Sequence, residues 1–188
     1  MSVSGIHKST NFFEKLIVKI PALCQLYCGF YKSAVLDEAK LANLDTQDHL
    51  LFVGGGAIPY SAIILSKFVK HITVIDRDLC STKLAKKLIT KLGITNITLD
   101  HSKAEDLNTS PYTAVFIPLQ AEPKTIILKN IKKQSCGHTK IIMRIPKKSF
   151  NSVYTSLDEL PVKEYTLKNI KQLTFDKVIC FDCGKILL

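Results

Sequence analysis

Apolar and polar positions divide the chain into short apolar runs and longer stretches of helical spacing. Residues 50–53 are four consecutive apolar side chains, followed by glycines 54 to 56, then Ala57, Ile58 and Pro59. A short apolar run bounded by a turn signal predicts a buried strand, and the helical spacing over residues 61–70 predicts a crossover helix behind it. The pattern repeats. Strands are predicted at 71–75, 96–99, 114–117 and 140–145, and helices at 79–92, where Gly93 supplies the stop, and at 123–133. A short helix is expected at 151–157. Residues 162–167 and 176–181 predict two further strands with no room for a crossover helix, hence an antiparallel hairpin at one sheet edge. Upstream, residues 11–44 carry helical spacing with a break near Pro21, and residues 45–48 form a turn into the first strand. Residues 1–10 are polar and short and read as disordered. The expectation is an α/β fold with a mostly parallel seven-stranded sheet: an N-terminal helical cap over residues 1–45, then a Rossmann-like domain over 46–188.

The glycine turn carries the first chemistry. Gly54, Gly55 and Gly56 can adopt positive φ and carry no Cβ, so a ligand can approach the backbone closely. Pro59 suits a first helical turn, and a helix N-terminus there favours polar or anionic groups. A nucleotide-type ligand at the end of the first strand follows. Asp76 ends the second strand, the usual place for an acid that accepts from ribose hydroxyls. Its other reading is a helix cap, but Asp78 can fill that role. Glu105 and Asp106 follow the third strand, where an acid can take an adenine amino group or simply be an exposed loop residue. A third glycine of a dinucleotide motif would fall at Pro59, which weakens a dehydrogenase reading.

The formal charge of +10 admits a nucleic-acid or anionic-membrane partner. Only Arg77 and Arg144 are arginines, however, and no dense basic run appears. A lysine-rich solvated surface is the plainer reading. Residues 12–31 are too interrupted by Glu14, Lys15, Lys19 and Pro21 to span a membrane, and read as an amphipathic helix packed on the domain. No leader signature is visible. Six cysteines include the pair Cys180 and Cys183 and the pair Cys24 and Cys28. Residues three apart in a strand point opposite ways, so no metal site is expected. Buried reduced thiols suit a cytoplasmic location.

Strand–helix alternation closed by an antiparallel hairpin is the layout of class I S-adenosylmethionine-dependent methyltransferases. More specifically, F-V-G-G-G-A-I-P-Y-S at residues 52–61 resembles the nicotianamine synthases and their prokaryotic relatives, whose signature reads approximately F-V-G-S-G-P-L-P-L-T. I-D-R-D at 75–78 is similar to their second-strand acid motif. A-V-F-I-P-L-Q at 114–120 resembles their V-V-F-L-A-A-L, and I-I-M-R at 141–144 their L-M-L-R. Before the first strand, F-Y-K-S-A-V-L-D-E at 30–38 places Tyr31 and Glu38 at the separation of the family's N-Y-x-x-L-x-x-L-E, with Phe30 for Asn and Ala34 for Leu. The likeness covers roughly residues 30–157.

The resemblance implies S-adenosylmethionine as cofactor, held by Gly54, Gly55, Gly56 and Asp76, with Glu105 near the adenine. It also implies transfer of an aminocarboxypropyl group to a small amine or amino acid. Tyr31 and Glu38 lie two helical turns apart, about 10 Å along the axis. Glu38 would act as base and Tyr31 would orient the amine. With only about 45 residues before the first strand, the cap is shorter than in those synthases and suggests a simpler acceptor. Methyl transfer, to a small molecule or to RNA or protein, is the alternative; a non-catalytic cofactor-binding subunit is another. A base-methylating N-P-P-Y motif is missing after the fourth strand, where residues 117–120 read I-P-L-Q.

Overall fold

The structure, a computed structural model, describes residues 21–188. The expectations for residues 1–20, and for the side chains of Cys24 and Cys28, lie outside the described residues and side chains. Helix α1 (Pro21–Leu41) leads to β1 (His49–Val53), α2 (Tyr60–Leu65), β2 (His71–Ile75), α3 (Leu79–Lys91), β3 (Ile97–Asp100) and β4 (Ala114–Ile117). Then come α4 (Lys124–Gln134), β5 (Lys140–Pro146), β6 (Thr166–Asn169) and β7 (Phe175–Asp182). The seven strands form one sheet in the order β3-β2-β1-β4-β5-β7-β6. The first five run parallel, and β7 pairs antiparallel with both β5 and β6. This is the Rossmann-like class I methyltransferase layout with its C-terminal hairpin.

The apolar runs are continuous because both faces of the sheet are covered. Leu50 and Phe52 of β1 face one core with Ala34 and Val35 of α1 and Leu65 of α2; Leu51 and Val53 face the other with Ile127 and Ile131 of α4. Strand order reverses between β1 and β4, which opens a crevice at their C-terminal ends. Among the described residues no helix is long and apolar enough to cross a membrane.

Helix α3 shows how local signals set an element. Asp78 is its N-cap, accepting from Cys80 N (2.9 Å) and from Ser81 Oγ (2.8 Å). Ala85 and Ile89 form its buried stripe, and Gly93 at φ 66° follows its last turn. Asp78→Ala is expected to cost about 1 kcal/mol, a drop of roughly 2–4 °C in melting temperature that thermal unfolding would read.

Three expectations need correction. The first crossover helix ends at Leu65 rather than Lys70, because Asn96 Nδ2 donates to the carbonyls of Ser66 (2.7 Å) and Val69 (3.3 Å) and holds that segment as a turn. Residues 151–157 form no helix; single turns lie at Lys148–Phe150 and Leu157–Glu159, the second started by the Ser156–Glu159 capping box. The first hairpin strand begins at Thr166, and Val162 makes only an isolated bridge to Ile186. Cys180 lies in β7 on one core and Cys183 in the following turn on the other. Burial raises both thiols, Cys180 to about 11.

Candidate cofactor cleft

At the end of β1 each glycine serves a different need. Gly54 and Gly56 have φ of 73° and 64°, which side chains rarely adopt. Gly55 is there for space, since a Cβ on it would lie 2.2 Å from Val74 Cγ1. Gly54 N and Gly55 N both donate to Ile75 O (2.8 and 3.2 Å), which ties the turn to β2. Gly56 N donates to Asp76 Oδ2 (2.7 Å), and Asp78 N to Asp76 Oδ1 (2.8 Å). Asp76 is therefore both a brace for the turn and a carboxylate with one lone pair left on each oxygen.

That brace alters the expectation of an anion site. A carboxylate occupies the N–H that a phosphate would take, and α2 behind the turn has only six residues. Asp76, Asp78, Glu105 and Glu122 line the cleft, against Arg77 and Arg144, and among the described residues no lysine does. Its volume of about 350 Å³ suits a small ligand. A nucleoside carrying positive charge fits this lining; a pyrophosphate or a polyanion does not. Gly54, Gly55, Gly56, Asp76 and Glu105 all line this one cleft.

On the far side of β1 and β4 the cleft is closed by Tyr31, Tyr60, Ser61, Arg144 and Phe175. The Tyr31 and Tyr60 rings lie 4.6 Å apart. Arg144, in the middle of β5, is buried, and its guanidinium carbon sits 4.9 Å from the ring centroids of both Phe116 and Phe175. Arg144 Nε donates to Glu38 Oε1 (2.7 Å) and Nη2 to Glu38 Oε2 (2.9 Å). Nη2 also donates to Ser61 Oγ (2.9 Å), and Nη1 lies 3.4 Å from Tyr60 Oη.

The expectation that Glu38 faces the ligand as a base does not describe this arrangement. Glu38 is 1% exposed, does not line the cleft, and has each oxygen bound to the guanidinium. Burial raises its carboxyl above the usual range, while the Arg144 charge and hydrogen bonds oppose the rise. Burial works against the Arg144 charge too, but Glu38 and Tyr60 outweigh it and hold the guanidinium protonated. Tyr60 is pushed up to about 12, mainly by burial, and stays a neutral phenol. Tyr31, by contrast, does line the cleft.

Arg144, Tyr60 and Ser61 were given no role from sequence. The available signals were their places in the motifs at 52–61 and 141–144 and, for Arg144, a single arginine inside an apolar strand of a chain whose other basic residues are nearly all lysine.

No family model matches the chain. It is 24% identical over 119 residues to L-histidine 2-aminobutanoyltransferase of Yersinia pestis, covering 63% of this chain and 45% of that protein. It is 30% identical over 83 residues to ribosomal RNA small subunit methyltransferase G of Marinobacter nauticus, covering 43% and 39%. The chain thus spans less than half the length of these curated relatives. Among solved structures, a mutant of MtNAS in complex with S-adenosylmethionine superposes with a TM-score of 0.75 at 18% identity, over 96% of this chain and 75% of that one. MtNAS in complex with MTA and tNA gives 0.74 at 19%, over 90% and 68%. An RNA methyltransferase from Salinibacter ruber in complex with S-adenosyl-L-homocysteine gives 0.64 at 15%, over 81% and 92%. At these identities the structural likeness establishes the fold.

Proposed function

We propose that this chain is a transferase that binds S-adenosylmethionine in the cleft and moves its aminocarboxypropyl group to a small amine or amino acid. The observation that carries the reading is the pairing of two features across one crevice. On one side is a glycine turn braced by Asp76; on the other is a buried Arg144–Glu38 pair beside Tyr31 and Tyr60. The spare lone pairs of Asp76 suit ribose hydroxyls, and Glu105, at the cleft wall after β3, suits the adenine amino group.

The cofactor supplies a sulfonium whose neighbouring carbons are electrophilic, so the group that moves is decided by which carbon meets the acceptor nitrogen. In the transfer proposed, a nitrogen–carbon bond forms and a carbon–sulfur bond breaks. The electron pair goes to sulfur, giving methylthioadenosine, and the amine proton leaves to solvent. Tyr31 lines the cleft and orients the acceptor. Glu38 acts as a positioning residue through Arg144. The likeness to an aminobutanoyltransferase supports this group over a methyl group, and a lining with no lysine among the described residues speaks against an RNA acceptor.

Incubating the protein with S-adenosylmethionine and a panel of small amines, histidine among them, tests this through the by-product. Methylthioadenosine is expected. S-adenosylhomocysteine would assign methyl transfer instead.

A further inference from the structure

The loop after β4 forms one wall of the cleft, with Pro118, Leu119, Gln120, Ala121 and Glu122 all on its lining. It lies directly on the glycine turn: a Cβ on Gly54 would sit 3.8 Å from Pro118 Cγ and 3.9 Å from Ala121 Cβ. Any shift of this loop therefore changes the gap a ligand enters.

An unusual group holds the loop. Lys124 is fully buried, and its Nζ donates to Glu122 Oε1 (2.6 Å) and Leu119 O (2.9 Å), with Ala121 O at 3.5 Å. Glu122 also accepts from Lys124 N at Oε2 (3.0 Å), from Thr155 N at Oε1 (2.9 Å) and from Thr155 Oγ1 at Oε2 (2.7 Å). Both of its oxygens carry two donors, so this carboxylate lines the cleft with no lone pair left for a ligand. From the loop after β2, Arg77 Nη2 donates to Glu122 O (2.8 Å) and joins the two walls. Burial pushes the Glu122 carboxyl up, but the Lys124 charge and the Lys124 and Thr155 hydrogen bonds outweigh it and hold the group below its usual value.

A buried lysine on two loop carbonyls is costly unless its charge is paired, and a cation in the first turn of a helix gains nothing from the helix dipole. We propose that Glu122, Lys124 and Thr155 act together as a positioning group that fixes the wall at residues 118–122 against the glycine turn, and with it the affinity for the ligand in the cleft. This rests on the cofactor proposed above.

Thr155 does not line the cleft, and Thr155→Val removes one bond of the group while leaving the ion pair in place. In Thr155→Val the amides of residues 119–122 should exchange with solvent faster by about tenfold, with the β1 and β4 amides unchanged. Affinity for S-adenosylmethionine should fall by about tenfold. Thr155→Ser, which keeps the hydroxyl, should restore both. Lys124→Met should act in the same direction and more strongly, with the Thr155 pair covering the case in which it fails to fold. Unchanged loop exchange overturns the proposal. So does faster exchange spread evenly over the sheet, or a looser loop with full affinity. Exchange is read without ligand, so a wild-type chain that binds no S-adenosylmethionine overturns the cofactor reading and the affinity part of this one, while the exchange data still decide whether the group fixes the wall.

Discussion

Glu38→Ala should destabilise the protein by about 3–5 kcal/mol, because it leaves the buried Arg144 charge without its partner. Both Arg144–Glu38 bonds are short and both side chains are buried, so water cannot replace the carboxylate without opening the core around Phe116 and Phe175. For a domain whose total stability is about 5–15 kcal/mol, that is a large share. The melting temperature should fall by roughly 10 °C. Glu38→Gln keeps the shape and one acceptor but not the charge, and should fall between wild type and alanine. Replacing both partners, Glu38→Leu with Arg144→Met, should recover much of the loss, since a well-packed apolar pair is often as stable as a buried ion pair. Urea unfolding of these proteins, together with Glu38→Leu and Arg144→Met alone, gives the coupling. A double variant no more stable than Glu38→Ala would mean that Arg144 contributes through its stacking on the two phenylalanines rather than through its charge pair.

The second large effect is at Gly55. A Cβ there would lie 2.2 Å from Val74 Cγ1, on a central strand that has no room to retreat. Overpacking of this kind costs about 1–3 kcal/mol, and Gly55→Val should lie at the upper end and also push the turn out of line with the ligand. Gly54 provides the contrast. An added Cβ there meets only ordinary contacts at 3.8 and 3.9 Å, so the cost of Gly54→Ala comes from its φ of 73° and is about 1–2 kcal/mol. Chemical denaturation should rank Gly55→Val below Gly54→Ala. Equal losses would mean that φ, not space, governs the turn.

The strands were legible because a parallel sheet covered on both faces leaves continuous apolar runs; β2 and β4 lie where the pattern placed them. Helix ends were less legible, because they depend on distant partners: no local signal at Leu65 reveals that Asn96 will take the carbonyls beyond it. The same division holds in the cleft. The positions of Gly54 to Gly56, Asp76 and Glu105 follow from strand ends, which the pattern shows. The partner of Glu38 stands 106 residues away on β5, so a carboxylate that reads as free in its helix is paired in the fold. Lys124 reads as one more solvated lysine until Glu122, two residues earlier, and Thr155 close over it.

The most direct test of the proposed site is a calorimetric titration of the full chain with S-adenosylmethionine, alongside Asp76→Ala. In the proposed site Asp76 holds the ribose, and it braces the turn beneath it, so its loss should weaken binding by about 10–100-fold. The expected result is saturable binding at one site per chain, weakened to that extent in the variant. A wild-type chain that shows no binding, or one whose affinity is the same with and without the Asp76 carboxylate, would contradict it.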